Sequence, residues 1–304
     1  MRMKNRGKKI CAIFWWILLM YLLLIFISIG IVHCEDIVVN APTKVKQGGY
    51  IKIEIKGRIQ KEPYDVLLRD NFADIRKTES FRFKHGMQMA LLPIATLDKP
   101  GQKEIVIKGN NFLYLKKIEI ENVYFPVSRG VQFIGNPKPA ILKRLQYEQE
   151  ELKEIFSHKT ETIFFERNLA FSPPLETLTV TQIFGKIWRK RYEGDSEIKL
   201  KPHKGIDLRA PIGTPVFTVE NGIIVMAKSL LGSGNTVIID HGRGVFSLYF
   251  HLKKFKVNKF RTVKQGELIA LSGNTGKSQG PHLHFETRIY DIPVDPSNFI
   301  GGIE

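Results

Sequence analysis

The sequence predicts an all-β chain that carries an N-terminal transmembrane helix, a β-sandwich, one connecting helix and a C-terminal antiparallel β domain. Three observations predict it. Residues 10–32 are an unbroken apolar run. Short alternating runs set off by Gly and Pro turns fill both halves of the remainder. The one long stretch with helical periodicity lies between those halves. The expected boundaries are 1–34 for a basic segment and signal anchor, 35–130 for the sandwich, 131–172 for a helical linker and 173–304 for the C-terminal domain.

The run 10–32 has 23 residues and no charge. As a helix it would be about 35 Å long, enough to cross a hydrocarbon core. Arg2, Lys4, Arg6, Lys8 and Lys9 precede it without an acid among them, which favours a cytoplasmic N-terminus and puts residue 35 onward across the membrane. The run is longer than the usual apolar stretch of a cleaved signal, so an uncleaved anchor is expected. Cleavage near Ser28-Ile29-Gly30 and lipid attachment at Cys34, which His33 disfavours, are the alternatives.

The formal charge is +16 on 304 residues, which favours anionic partners such as acidic lipid or a carboxylate-bearing wall polymer. No zinc-finger or RNA-binding signature accompanies it, so no nucleic-acid partner is expected. Cys11 and Cys34 are the only cysteines. A disulfide framework, a cysteine metal site and a cysteine nucleophile in the C-terminal domain are thereby excluded.

Residues 50–56, Y-I-K-I-E-I-K, alternate strictly, with Ile51, Ile53 and Ile55 on one face. Similar runs follow at 66–68, 81–83, 89–94, 104–107 and 118–123, separated by turns such as Lys99-Pro100-Gly101. This is the pattern of an antiparallel sandwich, and it is similar to the immunoglobulin-like modules of bacterial envelope proteins. His85, beside Gly86, is expected in a solvated turn. After Pro137 and Pro139, the residues Ile141, Leu142, Leu145, Leu152, Ile155 and Phe156 recur at helical spacing, and His158 would be a solvated residue at the end of that helix.

From residue 178 the alternation resumes, with glycine turns and no long helix. Five of the chain's eight histidines lie here. His203 and Asp207 stand in H-K-G-I-D, where Gly205 and Pro211 argue against a helix and require an irregular turn. His251 ends S-L-Y-F-H-L, where alternation groups it with Ser247 and Tyr249 and against Leu248, Phe250 and Leu252. Residues 272–286 read S-G-N-T-G-K-S-Q-G-P-H-L-H-F-E: a loop, then a strand. On that strand His282, His284 and Glu286 share one face while Leu283 and Phe285 point into a core. Such an imidazole pair lets one ring bind a metal while its neighbour handles protons.

Taken together, H-x-x-x-D, Y-x-H-L and G-x-x-G-x-x-x-G-P-H-L-H-F-E, in that order within 84 residues, resemble the LytM/lysostaphin-type zinc metallopeptidases, the M23 family. The resemblance covers about residues 178–300 and implies that His203, Asp207 and His284 bind one Zn2+, with His251 and His282 as catalytic imidazoles. Two nitrogens and one carboxylate leave the fourth tetrahedral position open, as catalytic zinc requires. Which imidazole takes the proton is left open. Glu286 is expected to be an exposed carboxylate, with orientation of a histidine as the alternative, His241 to be structural, and the insert 189–202 to be a candidate groove wall.

The resemblance further implies a metalloendopeptidase acting on peptidoglycan stems or cross-links. Together with the anchor, it points to a single-pass protein of the bacterial inner membrane with its catalytic domain on the periplasmic or extracytoplasmic side, with room for cell-envelope protein partners. Two other readings compete: a catalytically silent regulator of wall hydrolases on the same fold, or an envelope scaffold or adhesion protein whose working part is the sandwich.

Overall fold

The computed structural model describes residues 37–57, 60–158 and 160–302. The expected anchor at 10–32, its basic flank and Cys34 lie outside the described residues. Among the described residues no helix is long and apolar enough to cross a membrane.

The sandwich is built from β1 (Ile37–Asn40), β2 (Lys44–Lys46), β3 (Tyr50–Gly57), β4 (Asp65–Asp70), β5 (Ala73–Glu79), β6 (Phe81–Arg82), β7 (Gln88–Pro93), β8 (Gly101–Gly109) and β9 (Phe112–Glu121). One sheet runs β1-β3-β7-β6 and the other β2-β9-β8-β4-β5. Ile51, Ile53 and Ile55 of β3 meet Val66, Leu68, Ile105 and Ile107 across the sandwich, all fully buried. The strict alternation makes this possible, since a period of two collects the isoleucines on one face. The pairing departs from the antiparallel expectation at one place: β2 runs parallel to β9. It arrives from β1 in the opposite sheet, so its direction is set by that crossing rather than by a hairpin.

The outer face of the β3-β7 sheet is also covered. Met87, Met89 and Leu91 pack into one cluster with Phe165, Leu169 and Phe171 and with the core of the C-terminal domain. Tyr50 stacks on Phe299 at 5.1 Å, and Thr78 Oγ1 lies 2.9 Å from the Tyr290 hydroxyl. Glu54, its side chain only 2% exposed, receives Arg167 Nε at 2.7 Å. The two parts are thus fused through an apolar seam, with segment 160–175 as its strap.

The next elements are β10 (Val127–Ile134) and α1 (Pro139–Ser157). The expected boundary at 130 falls inside β10, which pairs in parallel with a strand of the C-terminal domain, β12 (Ile187–Tyr192). Of the expected linker, residues 139–157 are helical. Proline at its first turn starts the helix without needing a backbone donor. Of the expected apolar stripe, Phe156 is buried and Leu152 and Ile155 partly so, whereas Ile141 and Leu142 are exposed because the helix packs on the sheet through its C-terminal half.

The C-terminal domain continues through β11 (Val180–Gln182), β12, β13 (Lys199–Pro202), β14 (Ile206–Arg209), β15 (Pro215–Phe217), β16 (Gly222–Leu230), β17 (Gly234–Asp240), β18 (Val245–Leu252), β19 (Lys254–Phe255), β20 (Thr262–Val263), β21 (Leu268–Leu271), β22 (His282–Ile289) and β23 (Ile292–Val294). Its main sheet runs β11-β14-β22-β18-β17-β16-β20, with β23 added to β22. One face carries Leu208, Val237, Ile239, Tyr249, Leu283 and Phe285 into the core. On the other, Met226, Ile238, Phe246 and Leu248 are roofed by Phe156 and its neighbours on α1. Phe156 meets Phe246 edge-on at 5.3 Å. The helix is fixed there by Glu148, which accepts the Leu231 N–H at 3.0 Å, and by Lys228 Nζ on Glu151 at 2.6 Å. The roof covers only part of the face.

Candidate active site

Strand register assembles the uncovered end of that face. β14 lies antiparallel to β22 with Asp207 opposite His284, and β18 lies on the other side with Phe250 opposite His284. Opposite residues on antiparallel strands project to the same side, so the Asp207 carboxylate, the His284 ring and Phe250 stand in a row. Phe250 stacks on His284 at 5.2 Å with the rings 7° apart. His203 reaches the row from the turn before β14, held by its backbone N–H on the Lys186 carbonyl at 2.8 Å. Gly205 makes that turn possible: a Cβ at 205 would collide with the backbone carbonyl of Phe285.

Three polar atoms converge. His203 Nε2 lies 3.1 Å from Asp207 Oδ1 and 3.1 Å from His284 Nδ1, and His284 Nδ1 lies 2.8 Å from Asp207 Oδ1. They form the one His/Asp group among the described residues placed to hold a metal ion. Each imidazole is oriented through its other nitrogen. His203 Nδ1 donates to the Ile183 carbonyl at 2.8 Å and His284 Nε2 to Glu286 Oε1 at 3.1 Å. With those protons committed outward, the neutral rings turn lone pairs inward beside the Asp207 carboxylate. Acceptors this close repel one another unless a cation or a proton lies among them, so the donor set fits a zinc ion. A proton can take the same place: burial opposes charge on His284, but Asp207 and Glu286 overcome it and raise its pKa to about 9, so metal and proton compete for this ring. Burial likewise resists ionisation of Asp207, yet the bonds from His203 and His284 hold it below the usual carboxylate range.

Glu286 corrects the expectation of an exposed carboxylate. It is buried, and its second oxygen takes the Arg288 guanidinium at 2.5 Å and 2.8 Å. Burial pushes its pKa up, but Arg288 and His284 outweigh that and keep it ionised. Residues 284, 286 and 288 share one strand face, which lets the carboxylate meet an imidazole and a guanidinium at once; its burial comes from α1 lying over that face.

The other two histidines sit beside the cluster. His251 and His282 have ring centroids 4.8 Å apart, and His251 lies 6.1 Å from His284. Strict alternation would send His251 toward the core with Tyr249. Instead its φ is +60°, a left-handed conformation costing about 1 kcal/mol or more for a side chain of this kind. The alternation breaks there: Phe250 belongs to the helix-roofed face whereas Leu252 joins Tyr249 in the core. His251 is thereby turned into the site. Its Nδ1 donates to the Thr275 carbonyl at 2.7 Å, and His282 Nδ1 donates to the Gly280 carbonyl at 2.8 Å. Both carbonyls belong to the loop before β22. Burial first, then His282 and His284, lower the His251 pKa to about 4, so this ring is neutral at pH 7.

His241 is fully buried, between the Asn221 carbonyl and the Ser247 hydroxyl. His85 and His158 are exposed. The five site residues open onto a groove of about 800 Å3, whose wall includes Gln132 and Ile134 of β10 and Trp188 and Lys190 of β12.

Residues 201–296 match the model of peptidase family M23. Over 97 residues the chain is 44% identical to the peptidoglycan DD-endopeptidase ShyA of Vibrio cholerae, an alignment covering 32% of this chain and 23% of that protein. Over 94 residues it is 47% identical to the DD-carboxypeptidase/endopeptidase Mpg of Neisseria meningitidis, covering 31% of this chain and 22% of that one. The matched region thus spans less than a quarter of either relative. A crystal structure from Pseudomonas aeruginosa assigned to peptidase M23 superposes with a TM-score of 0.60 over 84% of this chain and 95% of that chain, at 22% identity. Its likeness is one of fold, and at that coverage it extends past the C-terminal domain. The C-terminal part of this chain, whose matched segment contains the histidine and aspartate cluster, is a peptidase family M23 domain.

Proposed function

We propose that the protein is a zinc-dependent endopeptidase that hydrolyses peptide bonds in peptidoglycan stems or cross-links. The observation that carries this reading is the convergence of His203 Nε2, Asp207 Oδ1 and His284 Nδ1 in an open groove, with two further imidazoles alongside. The names of the relatives, a peptidoglycan DD-endopeptidase in Vibrio and a DD-carboxypeptidase/endopeptidase in Neisseria, support the same kind of bond.

Zinc held by those three atoms would act as a Lewis acid on the scissile carbonyl and lower the pKa of water to about 7. The chain's own residues supply the rest. His251 keeps its Nδ1 proton on Thr275, which leaves Nε2 bare to accept a proton from the attacking water. His282, held in the same tautomer by Gly280, offers its Nε2 from the neighbouring position. Once protonated, either ring can stabilise the developing oxyanion or return the proton to the leaving amine. Glu286 keeps His284 in the tautomer that presents Nδ1 inward.

The reading extends to location. Residues 10–32 would anchor the protein in the bacterial inner membrane, with the sandwich, of immunoglobulin-like type, and the M23 domain on the wall side. The uncharged run and its basic flank support this.

Digestion of purified muropeptides by the zinc-loaded protein, with mass analysis of products, tests the activity. Cleavage at a peptide bond by wild type and none by His284→Ala is expected. Identical products from both proteins would refute it. Extraction of membranes at alkaline pH tests the anchor, which is refuted if the protein is released.

A further inference from the structure

The catalytic residues lie within the family-matched segment, but one wall of their groove does not. Gln132, Ile134, Trp188 and Lys190 all precede residue 201. They come from one face of the small β10-β12-β13 sheet, where Gln132 stands beside Lys190 in parallel register. Trp188 is an apolar platform on that wall, with the Lys186 ammonium 4.6 Å above its ring.

The groove carries an unusual charge pattern. Among the described residues Asp207 is the sole acidic one lining it, whereas Lys190 and Lys277 both line it. Neither ammonium has an acidic partner among the described residues, whereas Lys199 pairs with Asp195 and Arg288 with Glu286. Lys190 is half-buried. Burial, then the charges of Lys277 and Lys201, push its pKa down, so its ammonium is held in an unfavourable field that an anion would relieve. Two lysines lining one groove, close enough for each other's charge to be felt, with an amide from Gln132 and the Trp188 indole, make a pocket for a carboxylate joined to an organic chain.

We propose that this wall is a carboxylate-reading subsite, in which Lys190 and Lys277 together hold a free carboxylate of the bound peptide next to the scissile bond. The substrate class is therefore an anionic peptide, and amidated or uncharged peptides are discriminated against. This deepens the peptidase reading and rests on it for the identity of the groove's occupant. A charge-assisted contact of this kind is worth about tenfold in affinity at a half-buried site.

The probes are purified muropeptide dimers with native carboxylates and the same dimers with those carboxylates converted to amides. Cleavage by the full-length protein is measured beside binding to the metal-stripped protein by calorimetry. Wild type is expected to cut and bind the native dimer about tenfold better, through KM. Lys190→Met and Lys277→Met should each reduce the preference and the double variant should abolish it, with melting temperatures unchanged as the check on folding. Equal handling of both dimers by wild type overturns the subsite while leaving the peptidase reading intact. Absence of cleavage with the binding preference retained, and lost in the double variant, upholds the subsite and removes the peptidase reading. If the double variant keeps the preference, these lysines are not its source and the proposal fails.

Discussion

β3 and β22 are two strands with the same grammar and different fates. Each alternates large apolar residues with polar ones, and each sends the apolar set into a core: Ile51, Ile53 and Ile55 in one, Leu283 and Phe285 in the other. The polar set of β22 gives His284 to the His/Asp cluster, with Glu286 and Arg288 in line behind it. The polar set of β3 meets a neighbouring domain, through Tyr50 on Phe299 and Glu54 under Arg167. Alternation therefore tells which side chains share a face, but not what lies over it. What separates the two is donor chemistry: imidazoles and carboxylates packed without room for their mutual repulsion on β22, a lone carboxylate capped by a guanidinium on β3.

If that contrast is right, substitutions on β22 should fall on chemistry and substitutions at the β3-β7 seam on stability. The largest effect is expected for His284→Ala, which removes one of three inward donors. Zinc retained after dialysis, measured by elemental analysis, should drop to background together with muropeptide cleavage, while the fold persists. Glu286→Gln should come next. It keeps the shape but weakens the acceptor that orients His284, and it leaves Arg288 without its ion pair. Zinc affinity by competition titration is expected to fall about 10- to 100-fold. Little loss of metal would assign Glu286 to packing alone.

On the other side of the contrast, Leu91→Ala should lower unfolding free energy by about 2–5 kcal/mol, since a fully buried leucine is truncated in the seam. Zinc affinity and turnover should be retained at temperatures where the variant is folded. A loss of turnover larger than the loss of folded protein would mean that the seam shapes the groove. The smallest effect concerns Glu54. Its bond from Arg167 is the largest influence on its pKa, which stands at about 2 against an ordinary 4.5 despite burial. A folded-state pKa below the unfolded one contributes stability that is present above about pH 4.5 and lost as pH falls toward 2. Thermal melts of wild type should therefore deteriorate between pH 5 and 3 by more than those of Glu54→Gln. Parallel curves would remove the pair from the account.

Much of this was legible in the residues. The isoleucine alternation of β3 and the helical stripe of α1 each correspond to an element, because one period of hydrophobicity suffices to define it. The ordered histidine and aspartate motifs pointed to the five residues now found around one groove. Three features were not legible. The position of His251 depends on a left-handed backbone at one residue, which alternation cannot express. The burial of Glu286 depends on the approach of Arg288 and on α1 coming to lie over the same face. The parallel pairing of β10 with β12 joins segments more than fifty residues apart, and no local pattern records such a partnership.

That last pairing bears on how recombinant fragments of this protein should be cut. A catalytic piece started at residue 173 would retain every histidine of the centre and yet leave β12 with a bare edge where β10 belongs, an invitation to self-association. Starting upstream of residue 127 keeps the third strand, and with it the half of the cleft that the family-matched segment does not encode.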